Sequence, residues 1–164
     1  MRTRLALIAV VLAALGTASS VSAAAPTTVQ IDVSFPVDLC PGLAMEQTVA
    51  GTVKIVTQNP HKEIQVFPNT SVSFTANGRT LSSIAPGVLY ITYGTDGSIA
   101  QTVLTGLSGA FTVPGHGVIL LDTGYVVFAG EFAAAPVVLA HGPHEFFGAD
   151  ADLHGFCAYF EGTL

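Results

Sequence analysis

The feature that most limits what this chain can fold into is an alternation of apolar and polar residues, broken repeatedly by Gly, Pro and Asn. Val29, Ile31, Val33 and Phe35 alternate with Gln30, Asp32 and Ser34. Successive side chains on a strand point to opposite faces, so this pattern gives one face to a core and the other to water. The run is expected to end at Pro36. Val49, Gly51, Val53 and Ile55 repeat the pattern before Asn59-Pro60, and Ile64 and Val66 form a short segment stopped by Pro68. Val72 and Phe74 lead into Asn77-Gly78, a pair that tolerates the positive φ of a tight hairpin turn, with Arg79 to Ile84 as the return strand.

Val88 to Tyr93 and Ser98 to Leu104 flank Gly94-Thr95-Asp96-Gly97, a second hairpin. Ala110 to Val113 precedes the turn Pro114-Gly115-His116-Gly117, and Val118 to Leu121 follows it. Asp122-Thr123-Gly124 then either bends one long strand at a bulge or separates two strands. Val137 to Ala140 is the last apolar run of strand length. In the tail, Leu153, Phe156, Cys157 and Phe160 are spaced by three and four, which suits one or two helical turns. The sum is an all-β domain of about eight to ten short strands. Near-continuous strands favour antiparallel neighbours, because parallel ones need long crossovers. A sandwich and a barrel-like form both fit. A chain with two Lys residues has little with which to guard sheet edges, which tilts the expectation toward barrel-like closure.

The first segment has the three parts of an export signal. Arg2 and Arg4 precede an apolar run from Leu5 to Leu15, and Val21-Ser22-Ala23 supplies small residues for cleavage. The apolar run is too short to cross a bilayer as a helix, which needs roughly 20 residues. Residues 1–23 are therefore expected to be a cleaved signal peptide, and 24–164 a single secreted, extracellular β domain with no membrane span. That domain carries 11 acids against Lys54, Lys62 and Arg79, a net charge of −8 with His neutral. Nothing in it concentrates positive charge, so it is not expected to bind nucleic acid.

The two Cys, at 40 and 157, lie near the two ends of this domain. An even count in an exported chain predicts a Cys40–Cys157 disulfide. Closing so long a loop removes about 5 kcal/mol of unfolded-chain entropy on the simple chain model.

Four blocks carry a resemblance: Phe35-Pro36-Val37-Asp38-Leu39-Cys40, Ile91-Thr92-Tyr93-Gly94-Thr95-Asp96-Gly97, Leu104-Thr105-Gly106, and Asp152-Leu153-His154-Gly155-Phe156-Cys157-Ala158. In these the chain resembles small secreted all-β proteins of actinobacteria of uncharacterised function. The similarity extends over nearly all of the mature chain. It implies export, a β fold and pairing of the two Cys, and it brings no catalytic residues with it.

Chemistry-bearing residues gather toward the C-terminus. His141-Gly142-Pro143-His144-Glu145, with Asp150, Asp152 and His154, holds the imidazoles and carboxylates that bind zinc or copper, and His116 in another Gly-rich turn is a further candidate ligand. The spacing is not that of a helical His-Glu-x-x-His site. Gly106-Leu107-Ser108-Gly109 lacks the second spacing of a nucleophile elbow. Glu63, Glu131 and Glu145 form a glycosidase pair only if two of them face each other across a cleft. Tyr90 and Tyr93 differ by an odd number, so they belong to opposite faces of their strand. Asn69-Thr70-Ser71 fits the glycosylation pattern, which acts only in a host that has the machinery. The expected function is that of a secreted non-enzymatic β domain acting by protein interaction or by binding a small apolar ligand, without a cofactor. The alternative is a metal-binding protein or metal-dependent enzyme built on the histidine-rich loop.

Overall fold

The structure, a computed structural model, describes residues 25–147 and 152–164. The expected signal peptide and Asp150 lie outside the described residues. Among the described residues nine antiparallel strands form one sheet: β1 (Thr27–Val37), β2 (Met45–Asn59), β3 (Lys62–Phe67), β4 (Ser71–Ala76), β5 (Arg79–Ile84), β6 (Gly87–Tyr93), β7 (Ile99–Val113), β8 (Gly117–Phe128) and β9 (Val137–His141). One short helix, α1 (His154–Glu161), closes the chain.

The topology is a meander of long ribbons. β1 pairs with one edge of β2 along its whole length. The other edge of β2 is shared, with β3 on its C-terminal half and β4 on its N-terminal half. Thus β3 and β4 are one ribbon interrupted at residues 68–70. In the same way β5 and β6 form the next ribbon, interrupted at Ala85-Pro86, with β5 on β4 and β6 on β3. β7, β8 and β9 follow in order.

These interruptions line up with a row of glycines that crosses the sheet. Gly87 lies opposite Gly106, and Gly106 opposite Gly124. At Gly106 (φ 108°) a Cβ would sit 2.9 Å from the Pro86 carbonyl oxygen; at Gly124 (φ 126°) it would collide with the His141 carbonyl. Neighbouring backbones approach here as only residues without a Cβ allow. This explains why Asp122-Thr123-Gly124 does not end a strand: β8 runs through it as one element, and β7 likewise joins two segments that read as separate in sequence.

The row divides the buried face into two cores. On one side Met45, Val72, Phe74, Ala76, Leu81, Phe111 and Leu120 pack with Phe156 and Phe160 of α1. On the other, Leu89, Ile91, Leu104, Val126 and Phe128 pack beneath Phe132 and Phe147. Phe146 and Phe147 join the two, because Phe146 stacks on Phe74, Phe147 on Phe128, and the two rings on each other at 5.4 Å. The Phe128–Phe147 and Phe146–Phe147 pairs are edge-to-face and Phe74–Phe146 is tilted; aromatic pairs in such offset arrangements add about 0.5–1.5 kcal/mol each beyond the area they bury.

α1 is too short to be stable alone. It is held by the Cys40–Cys157 disulfide, whose Cα atoms are 5.5 Å apart. The β4–β5 hairpin completes its C-terminal end: Asn77 Nδ2 donates to the Phe160 carbonyl at 3.2 Å and Arg79 Nη1 to the Tyr159 carbonyl at 2.7 Å. A guanidinium there also meets the negative end of the helix dipole.

Two expectations change. The sheet is not closed into a barrel: among the described residues β1, β5 and β9 each pair on one side only. Scarcity of Lys does not force closure: β5 and β9 are short, and edges of that length offer little backbone for pairing, while β1 stays long and without a partner on its outer side. Pro36 does not end the first strand, which continues to Val37. A missing N–H is tolerated on an edge strand, where one side has no partner.

Candidate functional site

The histidine-rich segment folds back along β8 and is held there by backbone and carboxylate contacts. Thr123 N donates to the Pro143 carbonyl at 2.9 Å, Asp122 and His144 form an isolated antiparallel bridge, and Leu121 N donates to Glu145 Oε2 at 2.6 Å. The segment thereby extends past β9 as a further, irregular edge.

Asp122 is the centre of this arrangement. It is 1% exposed, and its Oδ2 accepts the backbone N–H groups of Phe146 at 3.0 Å and Phe147 at 3.1 Å. Its Oδ1 lies 3.3 Å from His144 Nδ1. His144 Nε2 lies 3.0 Å from the His141 carbonyl oxygen, an acceptor only, so that nitrogen carries the hydrogen. The other ring nitrogen, Nδ1, is the one that meets the carboxyl group of Asp122. The structural effect of these contacts is to place two consecutive Phe rings over the junction of the two cores. Asp122 was read in the sequence only as part of a strand interruption. Nothing in its local pattern marks it, because its partners lie more than twenty residues away.

Among the described residues no group of three His, Cys, Asp or Glu side chains is placed to hold a metal ion. His144 and Glu145 are engaged as above. His141 is exposed at the end of β9, and His116 is exposed in the β7–β8 turn. His154 is exposed at the start of α1, where its N–H donates to Asp152 Oδ1 at 2.9 Å.

The other candidates separate in the same way. Glu63 accepts a 2.7 Å hydrogen bond from Gln65. Tyr93 is half-buried beside it and its hydroxyl titrates above its ordinary value, chiefly through burial, then through the charge of Glu63 and a hydrogen bond to it. Ser108 Oγ is buried without a hydrogen-bond partner. It lines a cavity of about 40 Å³ with Gln47, Phe74, Asp122 and Phe146. That volume suits a few water molecules and no larger ligand. The ring nitrogens of His144 bond to Asp122 and to the His141 carbonyl, and among the described residues neither bonds to Ser108.

The open face of the β6–β9 half is different in character. The register sets Val56, Ile64, Tyr90, Val103, Val127 and Leu139 side by side across six strands. The next row holds Lys54, Val66, Val88, Thr105, Tyr125 and His141. Tyr90 is 44% exposed, Leu139 45% and Tyr125 37%. As alternation requires, Tyr93 points the other way, against the second core.

The class defined by fold and site is a disulfide-stapled, single-sheet all-β domain with a filled interior and an apolar open face. Comparison with known protein families, with curated proteins and with solved structures returns no match.

Proposed function

We propose that the chain is exported, loses residues 1–23 and works outside the cell as a non-enzymatic β domain that binds a protein partner through the open face of β6–β9. The charged start and apolar run of the first segment support export, as does the paired state of Cys40 and Cys157. Among the described residues no helix is long and apolar enough to cross a membrane.

The observation that carries the binding mode is the contrast between the two faces. The interior is occupied by the Phe74, Phe146, Phe147 and Phe128 rings, and a 40 Å³ cavity holds no apolar ligand. The opposite face presents Tyr90, Tyr125 and Leu139 in adjoining rows with few charges. Exposed apolar rows rimmed by polar residues, with Tyr prominent, are the usual chemistry of protein contact.

The test is site-specific photocrosslinking in the native extracellular medium. A photoreactive residue at Tyr90 or Tyr125 is expected to capture a protein that Leu139→Asp abolishes, while the same probe at exposed Ser82 of β5 captures none. Equal capture at all three positions, or an apolar small molecule co-purifying in stoichiometric amount, would overturn the proposal.

A further inference from the structure

β1 is an unusually long and unguarded edge. It pairs with β2 at eleven consecutive positions without a register shift, and among the described residues its other edge has no partner. Edges are normally blunted by brevity, bulges, Lys or Pro. β1 has no Lys and no bulge; Asp32 and Pro36 are its only guards. Val29, Ile31, Val33 and Phe35 are half-buried on one face, while Thr28, Gln30, Asp32 and Ser34 are exposed on the other.

Among the described residues no strand covers this edge. On the export reading above, cleavage after Ala23 leaves Ala24 to Pro26 ahead of β1, about 10 Å of extended chain against a strand of about 36 Å. At the other end Thr163 N donates back to the Ala158 carbonyl, turning the tail onto α1.

We propose that β1 pairs antiparallel with β1 of a second copy, about a two-fold axis at Ile31. The sequence is suited to this one register. Val29 then faces Val33 of the other copy, Thr28 faces Ser34, and Ile31 faces itself, so like rows fall on the same face. Asp32 faces Gln30, a hydrogen-bond donor, whereas an axis at Asp32 would set two carboxylates opposite each other. Pro36 falls opposite Pro26, outside the paired segment, where its missing N–H costs no ladder hydrogen bond. Two sheets joined in this way form one continuous sheet with both filled interiors on the same side.

The test uses the exported, leader-free protein, with its N-terminus checked by mass spectrometry; retention of residues 1–23 would refute the export reading separately. Sedimentation equilibrium is expected to give twice the chain mass. Under mild oxidation Ile31→Cys is expected to give a covalent dimer, because its counterpart lies directly opposite within disulfide reach. Ser34→Cys, exposed and displaced from the axis, is expected to give none. A monomeric mass at high protein concentration overturns the proposal. So does a dimer that crosslinks through Ser34→Cys, or through neither position.

Discussion

Asp122 accepts two backbone N–H groups and meets His144, and its removal can be worked through from that geometry. Asp122→Ala takes away the acceptor for the Phe146 and Phe147 N–H groups and the partner of His144 Nδ1. A polar group left unsatisfied in the interior costs about 1–3 kcal/mol, and three groups lose their partner here: the N–H groups of Phe146 and Phe147, and His144 Nδ1. The two N–H groups are only partly buried, and the adjoining cavity of about 40 Å³ admits water, so the low end applies. The expected loss is about 3 kcal/mol, or a drop in Tm of roughly 10 °C for a domain of this size. Asp122→Asn keeps one acceptor oxygen and loses the charge, so a loss of about 1–2 kcal/mol is expected. Urea unfolding followed by far-UV circular dichroism measures both, since the chain has no Trp to report by fluorescence. The double variant Asp122→Ala with His144→Ala should destabilise by less than the sum of the singles, because both remove the same bridge. An Asp122→Ala variant within about 0.5 kcal/mol of the parent would refute the reasoning, since surface changes alone produce shifts of that size.

Further predictions test the other parts of the fold. Gly124→Ala is expected to cost about 3 kcal/mol or more, because positive-φ strain adds to the collision with the His141 carbonyl; Gly115→Ala, also at positive φ but facing open space, should cost about 1 kcal/mol. Replacing both Cys40 and Cys157 by Ala should lower stability by about 2–5 kcal/mol in the same urea assay, with no change if the bond is not formed in the purified protein. The raised titration of Tyr93 means that the folded state favours its neutral form, so stability present below its ordinary value of 10.0 is lost as pH rises through the folded value. Tyr93→Phe should therefore flatten the fall in melting temperature above pH 10.0, and an unchanged slope would show that this tyrosine is not linked to folding.

The strand pattern was open to reading because it is written locally. Val29 to Phe35 alternates, Asn77-Gly78 supplies the backbone a hairpin turn needs, and Leu153 to Phe160 carries helical spacing; these became β1, the β4–β5 turn and α1. The odd separation of Tyr90 and Tyr93 sends one to the open face and the other to the core for the same reason. The pairing of Cys40 with Cys157 follows from there being two Cys in the chain.

What the sequence left open depends on residues that meet only after folding. Whether Asp122-Thr123-Gly124 bends a strand or ends it turns on Gly106 of β7 and on Gly142 just past β9, which approach Gly124 from either side. Whether the sheet closes turns on the distance between its first and last strands, which no local pattern encodes. The grouping His141, His144 and Glu145 reads as a set of metal ligands because His and Glu bind metals wherever they converge. Tertiary structure gives His144 to Asp122 and Glu145 to the Leu121 N–H, and leaves His141 exposed at the end of β9. Amino-acid type sets what each side chain can bond to, whereas the crossing of distant strands decides which partner it meets.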